Sequence, residues 1–458
     1  MRRFRVRRAG PLRGSLTVPG DKSIGHRALL FAGLAEGRSS IRGLSGGLDN
    51  HATRGALEAM GVRFEDVEGE TRVEGVGLHG LTMPKASLDC GNSGTTMRLL
   101  AGIVSAQRFG VRLVGDASLS SRPMRRIVEP LRARGAHIAG VRRKKEGEEP
   151  VQGGQEEHYA PLSIAPLIEG ETLSALRYES PIASAQVKSC LLLSGLYAEG
   201  PTTVYEPLLS RDHTERMMLA LGVPLTTAGT ISTLDPAGWA RRWDGFSWTV
   251  PGDLSSAAFF LVAGSIVPGS EIEIEGVCTN PTRTGILDAL RLARAHIEVI
   301  PRGEGAGNEP IATLVARHGR VAPIRVGGEI VTRMIDEVPI ACALAVCAPG
   351  RTDVRDAEEL RAKESDRLST MASVLRAFGA DVVELQDGLT IHGGAPLRGA
   401  HVNAHGDHRI AMTSVVLGLV ADGETVVDDV ACVETSFPAF ASSLRALGAD
   451  VVEEEVSA

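Results

Sequence analysis

Apolar residues at helical spacing alternate along this chain with strand-like runs, and one ending recurs: LEAMGV from Leu57, LRARGA from Leu131, MLALGV from Met218, LRLARA from Leu290, LRAFGA from Leu375 and LRALGA from Leu444. Each copy reads as the last turn of an amphipathic helix that stops at Gly61, Gly135, Gly222, Gly379 or Gly448, with Arg294 as the exception. A strand-like run such as AHIEVI or ADVVEL follows. Copies stand roughly 70 to 90 residues apart, longer than a solenoid repeat, so each should close a complete α/β subdomain.

A longer repeat divides the chain. VPGDKSIGHRALLFAGLAEG (Val18 to Gly37) has a partner in VPGDLSSAAFFLVAGSIVPG (Val250 to Gly269). In both, Pro-Gly-Asp ends a strand, Asp21 or Asp253 can cap with Ser23 or Ser255 nearby, and an apolar helix follows. Three subdomains per half is the natural division. The charged, glycine-containing stretches Arg142 to Tyr159 and Pro301 to Pro310 lack an apolar period and read as surface loops.

Composition narrows the class. With 458 residues and 43% hydrophobic content the chain can bury large cores, so a soluble globular protein of two or three domains is expected. No run of 18 apolar residues is free of charge or breaker, and the basic start MRRFRVRRAG precedes no apolar stretch, so the expected location is the cytoplasm. Six scattered cysteines with no C-x-x-C fit reduced thiols better than zinc ligands or disulfides. A net charge of -7 with 4% aromatics speaks against a nucleic-acid partner.

Against that acidic background, cationic clusters at predicted strand-to-helix junctions call for an explanation. GDKSIGHR sets Lys22, Ser23 and Arg27 at a helix start; GNSGTTMR sets Asn92, Ser93, Gly94 and Thr95 at another; GDASLSSRPMRR sets Arg122, Arg125 and Arg126 beside serines. SAQVKS adds Ser184, Gln186 and Lys188, SRDHTER adds Arg211, KESDR adds Lys363, Glu364 and Arg367, and DHRIAM adds His408 and Arg409. Lysine point charges, arginine forks and helix N-termini together hold phosphate and carboxylate groups. A capped helix with a solvated cation explains any single cluster; their recurrence favours one converging anion site. The P-loop pattern is absent, which excludes the usual nucleotide triphosphatase. His401, His405 and His408 have metal-like spacing, but the glycine among them works against a common face, and no metal site is expected. In MIDEVPI, adjacent Asp336 and Glu337 cannot share a face, so one carboxylate should enter a cleft as a base while the other makes a structural bond.

VPGDKSIGHR, GNSGTTMR, GDASLSSRPM, SAQVKS, SRDHTE, PTRTG, IDE, KESDR and DHRIAM, in this order and over nearly the whole length, resemble the 5-enolpyruvylshikimate-3-phosphate synthase family. The resemblance implies an α/β fold of two similar domains, each of three βαβαββ units with helices packed inside, an inside-out barrel. It places residues 18–249 in one domain and residues 1–17 with 250–458 in the other, with the active site in the cleft between. It implies transfer of the enolpyruvyl group of phosphoenolpyruvate to the 5-hydroxyl of shikimate 3-phosphate by a monomer, with no metal or organic cofactor and no nucleic-acid or membrane partner. Asp336, Glu364 and Lys22 would be catalytic. Lys22, Ser23, Arg27, Ser184, Gln186, Arg211, Asp336 and Lys363 would hold shikimate 3-phosphate; Lys22, Asn92, Gly94, Arg122, Gln186, Arg367 and Arg409 would hold phosphoenolpyruvate. Arg125 and Arg126 would be helix-surface residues.

Two positions bear on sensitivity and charge. Thr435 stands where many members of the family have lysine, and Gly94 is similar to the glyphosate-sensitive arrangement. The sister transferase acting on UDP-N-acetylglucosamine usually carries a cysteine in the loop that reads GDASLSSRPM here, and this loop has none. A silent anion-binding module would need the cations but would have no use for Asp336 and Glu364.

Overall fold

The structure, a computed structural model, describes residues 2–143 and 157–455. All six recurrent helix ends close helices: Leu48–Ala59, Arg125–Ala133, His213–Ala220, Gly285–Leu292, Arg367–Ala377 and Phe440–Ala446. After each, one residue turns left-handed, with φ of 97° at Gly61, 101° at Gly135, 72° at Gly222, 87° at Gly379 and 102° at Gly448. Arg294 does the same at φ 58°, so the apparent exception keeps the geometry and bears the strain of a side chain there.

The described residues form six four-stranded sheets of one plan. In one of them, Leu176–Glu179 runs parallel to Thr202–Tyr205, which pairs antiparallel with Ile231–Leu234, itself antiparallel to Leu225–Ala228. Read along the chain with its two helices, this is βαβαββ. Three sheets complete the plan with a strand from elsewhere. Ser247–Thr249 lies parallel to Glu36–Arg42, Arg13–Thr17 lies parallel to Glu271–Cys278, and Arg2–Arg7 fits between Glu424–Asp428 and Val451–Glu455.

Two apolar cores result. One gathers Ile24 to Val250 with Cys278 and Ala306; the other gathers Phe4 to Val18 with Leu254 to Val451. At the centre of each stand helices buried almost all round, Lys22–Gly33, Gly94–Val104 and Ala185–Gly195 in the first, Leu254–Ile266, Val338–Cys347 and His408–Gly418 in the second. A helix apolar on every face has no solvent side to offer, so the sheets cover it. No helix among the described residues is long and apolar enough to cross a membrane.

The stretch Pro301 to Pro310 departs from its loop reading. Strand His296–Glu304 runs through its first half and a short helical turn, Ala306–Asn308, through its second. Pairing with Pro310–Arg317 supplies the backbone partners that composition could not reveal. Most of the predicted loop from Arg142 to Tyr159 lies outside the described residues, and its two ends are strands Ile138–Arg143 and Glu157–Ile164.

Candidate active site

The N-termini of the inner helices carry most of the chemistry. Lys22 begins one, capped by Asp21; Gly94 begins another, capped by Ser93; Ser184 caps a third just before Gln186; Asp336 and Glu337 lead into Val338–Cys347; Asp407 caps the helix that starts His408-Arg409. Each start presents free backbone N–H groups and the positive end of a helix dipole, which suits anions.

Asp336 stands at the junction of the two halves. Its carboxylate lies 2.8 Å from Arg211, 3.3 Å from Arg367 and 4.0 Å from Arg409, and its carbonyl accepts from Arg409 at 3.0 Å. Burial alone would raise its pKa; Arg409, Arg211, Lys363 and Arg367 outweigh that and hold it well below the usual carboxylate range. Glu337 is buried, accepting from Ser255 Oγ and lying 4.0 Å from Arg409.

Glu364 is the second acid. Arg367 binds it at 2.6 Å while holding Asp407 at 2.8 Å. Burial again works upward, and Arg367, Arg122, His408 and Lys22 together push its pKa well below the usual range. Arg122 and Lys22 belong to the first half of the chain, so this carboxylate too feels both halves. Lys22 pairs with Asp49 at 2.9 Å; burial opposes its charge, yet Asp49 and Glu364 raise its pKa in spite of Arg409. Lys363 pairs with Glu359 at 2.6 Å.

Arg122 donates to Asn92 Oδ1 at 2.6 Å, to the Asn92 carbonyl at 3.2 Å and to Ser118 Oγ at 3.1 Å. Gln186 accepts from Arg98 at 2.7 Å and donates to Thr95 Oγ1 at 2.9 Å. Ser184 Oγ accepts from Val187 N–H, and its own N–H donates to Glu206 at 3.0 Å. Arg27 is buried, donating to Thr214, Ser189 and the Ser23 carbonyl, and burial lowers its pKa to about 10 despite Glu215.

Lys22, Arg122, Arg211, Asp336, Lys363, Glu364, Arg367 and Arg409 thus share one electrostatic network. Asn92, Gly94 and Gln186 adjoin it through Arg122 and Arg98, and Ser23 through Arg27. Lys188 stays apart, fully buried between Glu206 and Glu215 at 2.7 Å each. It neutralises acids inside the lobe and has no room for a ligand. Arg126 is exposed on its helix, as a surface residue should be, yet it lies within electrostatic reach of Glu359 from the other half.

Sequence reasoning passed over Arg98, Asp49 and Asp407. Arg98 sits one turn after Gly94 and so returns to the same helix face, a spacing that could have disclosed it. Asp407 precedes its helix as Asp21 and Asp253 precede theirs. Thr435 is half-buried, its Oγ1 3.4 Å from His408 Nδ1. His401 meets Asp428 at 2.6 Å, His405 is exposed and His408 is buried, and among the described residues no metal-like group includes any of the three. Asp212, His213 and Glu309 do bring ligand atoms within 4.8 Å of one another. Asn280 donates to both carboxylates, and Thr282 and Arg216 donate to Asp212, so the two acids are held in a hydrogen-bond network, while the buried His213 Nε2 has no partner among the described residues.

The chain has relatives. A family model for EPSP synthase (3-phosphoshikimate 1-carboxyvinyltransferase) matches residues 6–444. The chain is 49% identical over 437 residues to the 3-phosphoshikimate 1-carboxyvinyltransferase of Geobacter sulfurreducens, covering 95% of this chain and 97% of that one. It is 47% identical to the Synechococcus enzyme of the same name, with 96% and 97% covered. A solved EPSP synthase structure from Acinetobacter baumannii superposes with a TM-score of 0.85 at 39% identity, covering 99% of this chain and all of that one. The chain therefore belongs to the EPSP synthase family and is a transferase that carries out the enolpyruvyl transfer of the shikimate pathway.

Proposed function

We propose that residues 18–249 form one lobe, residues 1–17 with 250–458 the other, and that phosphoenolpyruvate and shikimate 3-phosphate react in the cleft between them. The observation that carries this reading is the cationic surround of Asp336, to which Arg211 comes from one lobe and Arg367, Arg409 and Lys363 from the other. Two polyanions repel each other in water; a cleft dense in fixed cations offsets that repulsion without reorganising at the moment of reaction.

In this reading Lys22, Ser23, Arg27, Ser184, Gln186, Arg211 and Lys363 hold shikimate 3-phosphate, and Lys22, Asn92, Gly94, Gln186, Arg122, Arg367 and Arg409 hold phosphoenolpyruvate. Asp336, kept ionised by its arginines, takes the proton of the 5-hydroxyl. The bound anions add negative charge beside Glu364 and raise its proton affinity, so it can deliver a proton to the methylene carbon. The neighbouring carbon becomes electrophilic, the 5-oxygen bonds to it, and a tetrahedral adduct forms. Loss of a methyl proton and departure of phosphate then restore the double bond as an enol ether.

The test is phosphate release with both substrates present and with each omitted in turn, the product identified by mass. Release only from the pair, with a product heavier than shikimate 3-phosphate by one enolpyruvyl unit, is expected; release from phosphoenolpyruvate alone would defeat the reading.

A further inference from the structure

The twin Pro-Gly-Asp segments meet where the chain passes between its halves. Gly20 and Gly252 form an antiparallel bridge, the Asp21 N–H donates to the Pro251 carbonyl at 2.7 Å, and the Asp253 N–H donates to the Pro19 carbonyl at 2.9 Å. A Cβ at Gly20 would collide with the Gly43 carbonyl oxygen, so only glycine lets this segment pack against the turn at Gly43. Each aspartate caps the helix after it, Asp21 accepting from Ile24 N–H at 2.9 Å and Asp253 from Ser255 N–H at 2.8 Å. Both acids are buried.

Two buried carboxylates side by side need a counter-charge, and one side chain serves both. Arg283, 1% exposed, directs one arm of its guanidinium to Asp21 Oδ2 and the other to Asp253 Oδ1 at 2.7 Å and Ser255 Oγ at 2.9 Å. Ser255 Oγ in turn donates to Glu337, the neighbour of Asp336. Lys22 directly follows Asp21. A single planar fork therefore ties the cap beneath Lys22 to the turn that presents Asp336. The turn Pro281–Arg283 that carries Arg283 is itself pinned, since Asn280 accepts from Thr282 N–H at 2.9 Å and donates to Glu309 at 2.8 Å.

We propose that Arg283 is a positioning residue for the enolpyruvyl transfer, fixing Lys22 of one lobe against Asp336 of the other through the paired caps at the crossing. The proposal rests on the substrate reading given above. Arg283 is sealed from solvent, so it acts through the caps and touches no substrate. Lysine offers one point charge and cannot fork between both aspartates, whereas arginine's plane sets their separation.

Two variants test this. Arg283→Lys keeps the charge and loses the fork; Arg283→Gln combined with Asp21→Asn removes one charge of each sign while asparagine still caps the helix. Each is compared with the unaltered protein by thermal melting, by calorimetric titration with shikimate 3-phosphate, and by steady-state phosphate release well below the melting temperature. Both variants should melt cooperatively and still bind shikimate 3-phosphate, with kcat lowered on the order of 10- to 100-fold and KM for either substrate moving far less. Unchanged kcat with only a lower melting temperature would make Arg283 a stabilising residue and overturn the proposal. Loss of shikimate 3-phosphate binding, or failure of both variants to fold, would overturn it as well. If the unaltered protein releases no phosphate from the pair, the substrate reading fails first and takes this proposal with it.

Discussion

Arg211 and Asp336, 125 positions apart in the chain, meet at 2.8 Å, one from each half of the sequence. Neither side chain is sealed from solvent, so the pair does not lie inside a core. The contact gives Asp336 a fixed direction, and Arg409, Arg211, Lys363 and Arg367 together keep it ionised. Arg367 and Arg409 approach the same carboxylate, so no single cation carries its charge.

Asp336→Asn keeps the shape and removes the proposed base. The expected result is a kcat lower by roughly 10²- to 10⁴-fold, the range general-base removal gives, with a much smaller change in KM. Initial rates of phosphate release measure it. Near-normal kcat would move the base role to another group.

Arg122→Ala removes a fork that, among the described residues, is hydrogen-bonded to Asn92 and Ser118. A charge-assisted contact to a bound anion contributes about 1.5–3 kcal/mol, so KM for phosphoenolpyruvate should rise roughly 10- to 100-fold. Far-UV circular dichroism should be unchanged, because few contacts are lost. An unaltered KM would remove Arg122 from the phosphoenolpyruvate site.

Gly94→Ala bears on inhibitor discrimination. A Cβ there would stand 2.6 Å from Arg98 Nη1 and 3.5 Å from Arg122 Nη1, so the end of Arg98 must shift and its 2.7 Å bond to Gln186 loosens. Helical alanine costs nothing in the backbone, so the effect belongs to the site. Glyphosate is longer than phosphoenolpyruvate and should lose more: its half-inhibitory concentration should rise by a larger factor than KM. Parallel inhibition curves decide this, and equal factors would count against crowding as the cause.

The fold was legible where one local rule repeats. Six helix ends, each followed by a strand, marked six subdomains, and even Arg294 keeps the left-handed turn its position demands. Local rules do not reveal pairing across the chain. Pro301 to Pro310 reads as loop until its neighbour strand supplies hydrogen bonds, and Lys188 resembles an anion ligand until Glu206 and Glu215 close on it. Candidate site residues were readable as cations at helix starts, since anion affinity there is a property of the backbone. Their carboxylate partners were not, because Asp49, Glu359 and Asp407 acquire their function only from where the fold puts them.

His408 supplies a pH signature that separates its burial from the titration of the acids. Its ring is 3% exposed, and burial together with Arg409 lowers its pKa to about 3 against the pull of Asp407 and Glu364. The unfolded chain binds that proton near pH 6.5, so stability from a neutral buried ring is complete above about 6.5 and is lost as pH falls toward 3, by up to about 1.4 kcal/mol per pH unit. His26, also lowered well below its usual value by burial and by Lys22, adds in the same direction. Asp336 and Glu364 are depressed carboxylates, so their contribution is lost only as pH falls below the usual carboxylate range and leaves the interval from 7 to 5 undisturbed. Urea midpoints at pH 7, 6 and 5 should therefore fall with pH for the unaltered protein and fall less steeply for His408→Asn. Whatever constant stability the substitution itself costs cancels in the slope. Identical slopes would mean that His408 can take up a proton inside the fold, and that the cationic cluster beside it is better solvated than its burial implies.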